Sequence, residues 1–247
     1  LICGVLSAAL EKAMELGYIP QNPVKRCTLP RKEQKEIHPL DDGELAALLG
    51  AAEGGEIEHL ITVALFTGMR MSELLGLTWD CVDYNSGTIT VNKQLAPPEQ
   101  RKAGEVFTTP KSHKSRTVAA APSVLEALKA QRRRQIENQL QAGSMWDNAH
   151  NLVFTNVTGG LIPQRDMERR FRAVADAAGL GGMRFHDCRH TFAVNALRAG
   201  DDVKSVQGNL GHATAAFTLD RYGHFTETMR QASAARMEGF IKNVLNL

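Results

Sequence analysis

Between residues 86 and 119 the apolar pattern of this 247-residue chain changes period. Ser86-Gly87 is a turn signal, and Thr88-Ile89-Thr90-Val91 is β-branched and strand-like. Past a polar loop at Pro97-Pro98, Val106-Phe107-Thr108-Thr109 reads as a second strand, and Arg116-Thr117-Val118 follows a turn over residues 110–115 as a third. On both sides of this stretch the apolar residues recur at helical spacing. The expected fold class is therefore α+β, mainly α-helical, with one small antiparallel β-sheet that carries a lysine at the tip of its second hairpin.

The helical parts have legible ends. Residues 1–16 form a helix closed by Gly17, and Asn22-Pro23 begins a turn. Residues 25–37 are polar and basic, with Pro30 among them, and read as an inter-domain linker. The main domain runs over residues 38–247. Asp41 is its first N-cap, and Glu44 three residues on completes a capping-box pattern before the apolar face of Leu45, Leu48, Leu49 and Ala52. A helix from Glu56 to Phe66 breaks at Gly68, and a short one covers Ser72 to Gly76. Arg70 falls in the turn between them, where it either points into a cleft or pairs with Glu73. Further helices are expected at 122–142 (burying Val124, Leu125, Leu128 and Ile136), 163–178, 186–197 with Gly200 as cap, 203–210 and 227–245.

Composition excludes some classes. With 43% hydrophobic and 23% charged residues the chain is an ordinary soluble globular one, and no apolar run reaches membrane-span length. The four cysteines, Cys3, Cys27, Cys81 and Cys188, have no zinc-type spacing, which suits free thiols in a cytoplasmic protein. The net charge of +2 is unremarked, but residues 99–134 hold nine basic residues against three acidic ones. Such a stripe, with Lys114, Arg116, Arg132, Arg133 and Arg134, can neutralise DNA phosphates or simply be a solvated face. The apolar start lacks an initiator Met and a basic leader, so it reads as a helix already under way in a fragment.

The chemistry gathers between residues 185 and 224. In His186-Asp187-Cys188-Arg189 the first and last residues are three apart and share a helical face. His212 follows, and ten residues later Tyr222 sits in a polar segment. Arg forks onto two oxygens, His moves protons and Tyr can attack, so the set suits a phosphate. Taken singly, the pair fits a surface helix and the tyrosine fits packing.

The segments TGMRMSELLGLTW, TPKSHKSRTV, HDCRHTFA and LGHATAAFTLDRYGH, in this order, resemble the tyrosine recombinase (phage integrase) family. The resemblance covers residues 38–247, and residues 1–24 resemble the last helix of that family's core-binding domain. It implies the tyrosine recombinase catalytic-domain fold and a site-specific DNA recombinase or integrase acting on a mobile element. Arg70 and Arg189 match the arginines that bind the non-bridging oxygens of the scissile phosphate. His186 matches the proton acceptor, His212 the later histidine, Lys111 the hairpin lysine that protonates the leaving 5′ oxygen, and Glu73 the supporting acid. Tyr222 matches the nucleophile that forms a 3′-phosphotyrosyl intermediate, with neither ATP nor metal required. Lys111 is preferred to Lys114 because its spacing to Arg116 and Val118 fits the family hairpin. Ala119 and Cys188 depart from the family pattern. The implied partners are double-stranded DNA attachment sites, a homotetramer on paired sites that is monomeric without DNA, and accessory directionality or bending factors. Type IB topoisomerase-like strand passage, or an inactive DNA-binding homologue, remain alternatives at this level.

Overall fold

In a computed structural model the described residues are 2–28, 38–101, 105–110, 114–211, 214–222, 237–238, 241–242 and 244–245. The chain divides into two compact units, Leu1–Glu36 and Ile37–Leu247. The first contains α1 (Ile2–Glu15), stopped at Gly17 with φ 76°, and a 3₁₀ turn over Pro23–Arg26. Asn22 ties the two together: its Nδ2 donates to the Ser7 carbonyl at 2.9 Å, and its Oδ1 accepts from Val24 N at 3.1 Å. No residue of α1 is buried, and Ile2 and Val5 of its apolar pattern are 82% and 67% exposed.

The second unit opens with α2 (Asp42–Ala52), whose capping box forms as its sequence implies. Asp41 Oδ1 accepts from Glu44 N at 2.8 Å, and Glu44 Oε2 accepts from Asp41 N at 3.0 Å. The next helix, α3 (Glu58–Thr67), starts two residues later than the apolar pattern suggests. Glu58 is the reason, because its carboxylate accepts from Gly54 N in the preceding turn at 3.0 Å. Leu60, Ile61, Val63, Ala64 and Leu65 are all buried, as suits a helix packed between its neighbours. Gly68 ends it at φ 63°, and α4 (Met71–Leu75) follows at once.

The strands form two sheets where the sequence suggests one. β1 (Val82–Asp83), β2 (Thr88–Val91) and β5 (Arg116–Ala119) make the larger, in the order β1-β2-β5. β3 (Gln94–Leu95) pairs only with β4 (Phe107–Thr108). The expected second and third strands are thus not partners. Ile89 sits opposite Val118, and both are fully buried, so this register puts two apolar side chains on the core face.

α5 (Pro122–Ala142) follows β5. Its buried face differs from the apolar reading: Ile136 is 52% exposed, while Gln131 and Gln135 are buried beside Val124 and Leu128. The helix lies against Leu152-Val153, whose carbonyls need donors. Gln131 Nε2 donates to the Val153 carbonyl at 3.0 Å, Gln135 Nε2 to the Leu152 carbonyl at 2.8 Å, and Gln135 Oε1 accepts from Trp79 Nε1 at 2.9 Å. An isoleucine in place of Gln135 would remove one donor to these carbonyls and the acceptor of Trp79 Nε1. Four more helices complete the described unit: α6 (Gln164–Ala177), α7 (Phe185–Ala199), α8 (Val203–Leu210) and α9 (Ala215–Tyr222). Most of the apolar core lies under α3, α4, the larger sheet, α5 and α6, and a second cluster joins Ala193, Val194 and Leu197 to Val206, Leu210 and Tyr222. The expected helix over 227–245 lies mostly outside the described residues; Ile241, Val244 and Leu245 within it are helical and exposed.

Candidate active site

Arg70 is the N-cap of α4, in extended backbone at φ −73° and ψ 152°, directly after the Gly68 turn. Its backbone N–H donates to Glu73 Oε2 and its Nη1 to Glu73 Oε1, each at 2.8 Å. Both readings of Arg70 hold at once: it pairs with Glu73, and its side chain stays 20% exposed toward a cavity. Glu73 is fully buried and accepts a second fork from Arg116, whose Nη1 and Nη2 lie 2.9 and 2.7 Å from Oε1 and Oε2. Burial pushes the Glu73 carboxyl up, but the bonds and charge of Arg116, then those of Arg70, outweigh it and hold the pKa at about 2.

Arg189 is 2% exposed on α7. Its Nη1 donates to the Gly68 carbonyl at 2.7 Å and its Nη2 to the Leu210 carbonyl at the end of α8. One guanidinium therefore joins the turn before Arg70 to the segment before His212. Burial, then the nearby charge of Arg70, draws its pKa down to about 9, with Glu73 and Tyr222 acting the other way, and at neutral pH it stays cationic. The charges of Arg70, Glu73, Arg116 and Tyr222 all bear on Arg189.

Tyr222 ends α9 and is 1% exposed. Its hydroxyl lies 2.6 Å from Nδ1 of His190, a buried residue one place after Arg189. His186, one turn earlier on α7, is exposed and meets His190 edge-on, with ring centroids 4.9 Å apart. Desolvation of its covered side, then the charge of Arg189, lowers the His186 pKa and favours the neutral ring. Spacing alone did not single out His190. Its signal was its place four residues before Val194 and seven before Leu197, on the apolar stripe of α7 that also buries Tyr222.

A cavity of about 700 Å³ opens beside Arg70 and His186, and Arg172, Arg184, Phe171 and Met183 contribute to its wall. Arg184 is engaged by Asp187 at 2.7 Å. Arg116, expected on a DNA-facing surface, is instead turned inward onto Glu73, because it shares the core face of β5 with Val118 two residues on. Arg134 is engaged by the Gly55 carbonyl at 2.7 Å and by Glu58 at 3.3 Å. Arg132 is exposed and stacks over Trp79, with Cζ 5.1 Å from the ring; Arg133 and Lys114 are exposed. Lys111 and His212 lie outside the described residues. Cys188 is buried, and desolvation pushes its thiol pKa up, so this departure from the family pattern leaves an unreactive side chain. Among the described residues no group of His, Cys, Asp and Glu is arranged to hold a metal ion, and no helix is long and apolar enough to cross a membrane.

The family model described as "Phage integrase family" matches residues 39–229. A XerC-like tyrosine recombinase of Caldanaerobacter subterraneus subsp. tengcongensis is 30% identical over 227 residues, covering 86% of this chain and 58% of that protein. An integrase of Streptomyces ambofaciens is 30% identical over 247 residues, covering 96% of this chain and 62% of that protein. The chain thus spans about three fifths of the length of these curated relatives. Among solved structures, the Tn1549 transposon integrase in complex with a circular intermediate DNA superimposes with a TM-score of 0.71 at 25% identity, over 95% of this chain and 77% of that one. A lambda integrase dimer bound to a COC' core site shares the fold, with a TM-score of 0.60 at 20% identity over 87% of this chain and 72% of that one.

Proposed function

The chain belongs to the phage integrase family, and from that premise we propose that it is the catalytic part of a site-specific DNA recombinase that cuts and rejoins DNA through Tyr222. The observation that carries the reading is the buried contact of the Tyr222 hydroxyl with His190, next in sequence to Arg189, whose guanidinium holds the Gly68 carbonyl two residues before Arg70. A phenol in contact with His190 and within the electrostatic reach of Arg189 suits attack on a phosphodiester. The Tyr222 oxygen bonds to phosphorus as the bond to the 5′ oxygen breaks, leaving a 3′-phosphotyrosyl ester. The phenol proton passes to the imidazoles beside it, where His190 is in contact and His186 stands edge-on to His190. Arg70 and Arg189, with His212, neutralise charge that builds on the non-bridging oxygens. Lys111 protonates the departing 5′ oxygen. A 5′ hydroxyl of the partner strand then attacks the ester and frees Tyr222, so the bond energy is conserved without ATP.

The substrate is double-stranded DNA at the attachment sites of a mobile element, inside the cytoplasm. The chain is a monomer without DNA and a homotetramer on paired sites, with accessory bending or directionality factors setting the outcome. The Tn1549 integrase structure supports the DNA substrate because that protein is in complex with DNA. A nicked duplex cut from the DNA flanking the gene tests it. Wild-type protein is expected to form a covalent complex that migrates slowly in a denaturing gel. Tyr222→Phe is expected to keep DNA affinity and form none; a Tyr222→Phe complex of wild-type yield would defeat the assignment.

A further inference from the structure

Arg116 stands where three segments of the site meet. Each oxygen of Glu73 takes one bond from Arg70 and one from Arg116: Oε1 from the two Nη1 atoms at 2.8 and 2.9 Å, Oε2 from Arg70 N at 2.8 Å and Arg116 Nη2 at 2.7 Å. The third nitrogen, Arg116 Nε, donates to the Asn209 carbonyl at 2.7 Å. That carbonyl belongs to the last turn of α8, where the helix has no partners of its own to offer. The next one, Leu210, is the one held by Arg189. Two consecutive carbonyls are thus capped by two arginines from different elements, immediately before Gly211 and His212. The approach is close: a Cβ on Gly211, which has φ 63°, would lie 3.1 Å from Arg116 Cδ. With its side chain 9% exposed and each of its three nitrogens donating a bond, Arg116 faces protein and not solvent.

We propose that Arg116 is a positioning residue for scissile-phosphate recognition, acting through Glu73 on Arg70 while it anchors the end of α8 through the Asn209 carbonyl. The inference rests on the function proposed above and adds a residue outside the phosphate-binding set inferred there. The physical reason is geometric. A carboxylate gripped from one side only by Arg70 can rotate about its terminal bond; a second fork fixes its plane, and with it the direction of the Arg70 guanidinium. A lysine keeps the charge but is a single point, and it cannot span two carboxylate oxygens and a carbonyl.

The test compares two nicked substrates that differ only at the cleavage position: a phosphodiester, and a methylphosphonate in which a methyl group replaces one non-bridging oxygen and removes its charge. An aligned guanidinium contributes less when that charge is absent, so a defect in alignment fades on the second substrate, whereas a general loss of folding affects both alike. Arg116→Lys is expected to bind DNA as wild type does, to form covalent complex about tenfold or more slowly on the phosphodiester, and to lose less than about threefold on the methylphosphonate. Arg70→Ala is expected to show the same pattern with a larger amplitude. Glu73→Gln serves as the second variant and is expected to shift the substrate ratio in the same direction if Arg116→Lys folds poorly. Equal losses on both substrates, or an unimpaired phosphodiester rate, would overturn the role of Arg116 alone. A wild-type protein that forms no covalent complex on either substrate would overturn the function and this inference with it.

Discussion

At the scale of single residues, the site depends on a buried carboxylate kept charged by two arginines. The Glu73 pKa is about 2 against an ordinary 4.5. A carboxyl whose folded pKa is depressed stabilises the fold above its unfolded pKa and loses that contribution as pH falls toward the folded one. The window is therefore about pH 4.5 down to about 2, and a shift of this size corresponds to about 3 kcal/mol. Glu73→Gln should flatten the fall of unfolding free energy across that window, as measured by urea titrations at successive pH values. It should also lower stability at neutral pH by about 3 kcal/mol or more, because Arg116 and Arg70 lose their counter-charge. A variant with an unchanged acid limb would show that Glu73 is not the titrating group. The direction of Arg116 was legible in part, since its period-2 alignment with buried Val118 argues for an inward side chain. Its three acceptors were not, because Glu73 is 43 positions and Asn209 is 93 positions away along the chain.

At the scale of elements, turns carry as much of the site as helices do. Gly68 is the junction: it closes α3, positions Arg70 two residues later, and offers its carbonyl to Arg189. Its φ of 63° disfavours a side chain, and a Cβ would lie 2.5 Å from Phe192 Cδ1 and 2.7 Å from Leu210 Cδ2. Gly68→Ala should cost about 2 kcal/mol or more of stability and slow covalent-complex formation while sparing DNA affinity. Thermal unfolding alongside the trapping assay checks both, and an unchanged melting temperature would contradict the close packing of this turn. Helix ends and the break at Gly68 were readable from capping residues and glycine. Sheet pairing was not. Thr88–Val91 and Phe107–Thr108 look alike as sequence, and the burial of Ile89 against Val118 selects which strands meet.

At the scale of the whole molecule, assembly should follow DNA. Ile241, Val244 and Leu245 are 41%, 61% and 58% exposed, so these apolar side chains are open to a partner. Sedimentation at micromolar concentration should show a monomer without DNA and larger complexes only with paired sites. A stable tetramer without DNA would contradict the assembly proposed above.

What the sequence by itself determined was local or periodic: the helical character, the caps at Asp41 and Gly68, the strand-forming stretch, and the shared helical face of His186 and Arg189. Each follows from propensity and spacing within a few residues, and the family resemblance extended them into a candidate site. The tertiary structure decided what depends on distant partners. It paired β2 with β5, buried Gln131 and Gln135 where carbonyls needed donors, set His190 against the Tyr222 hydroxyl, and turned Arg116 onto Glu73. A charged or polar side chain goes wherever its donors and acceptors are satisfied, and the groups that satisfy these lie far away along the chain.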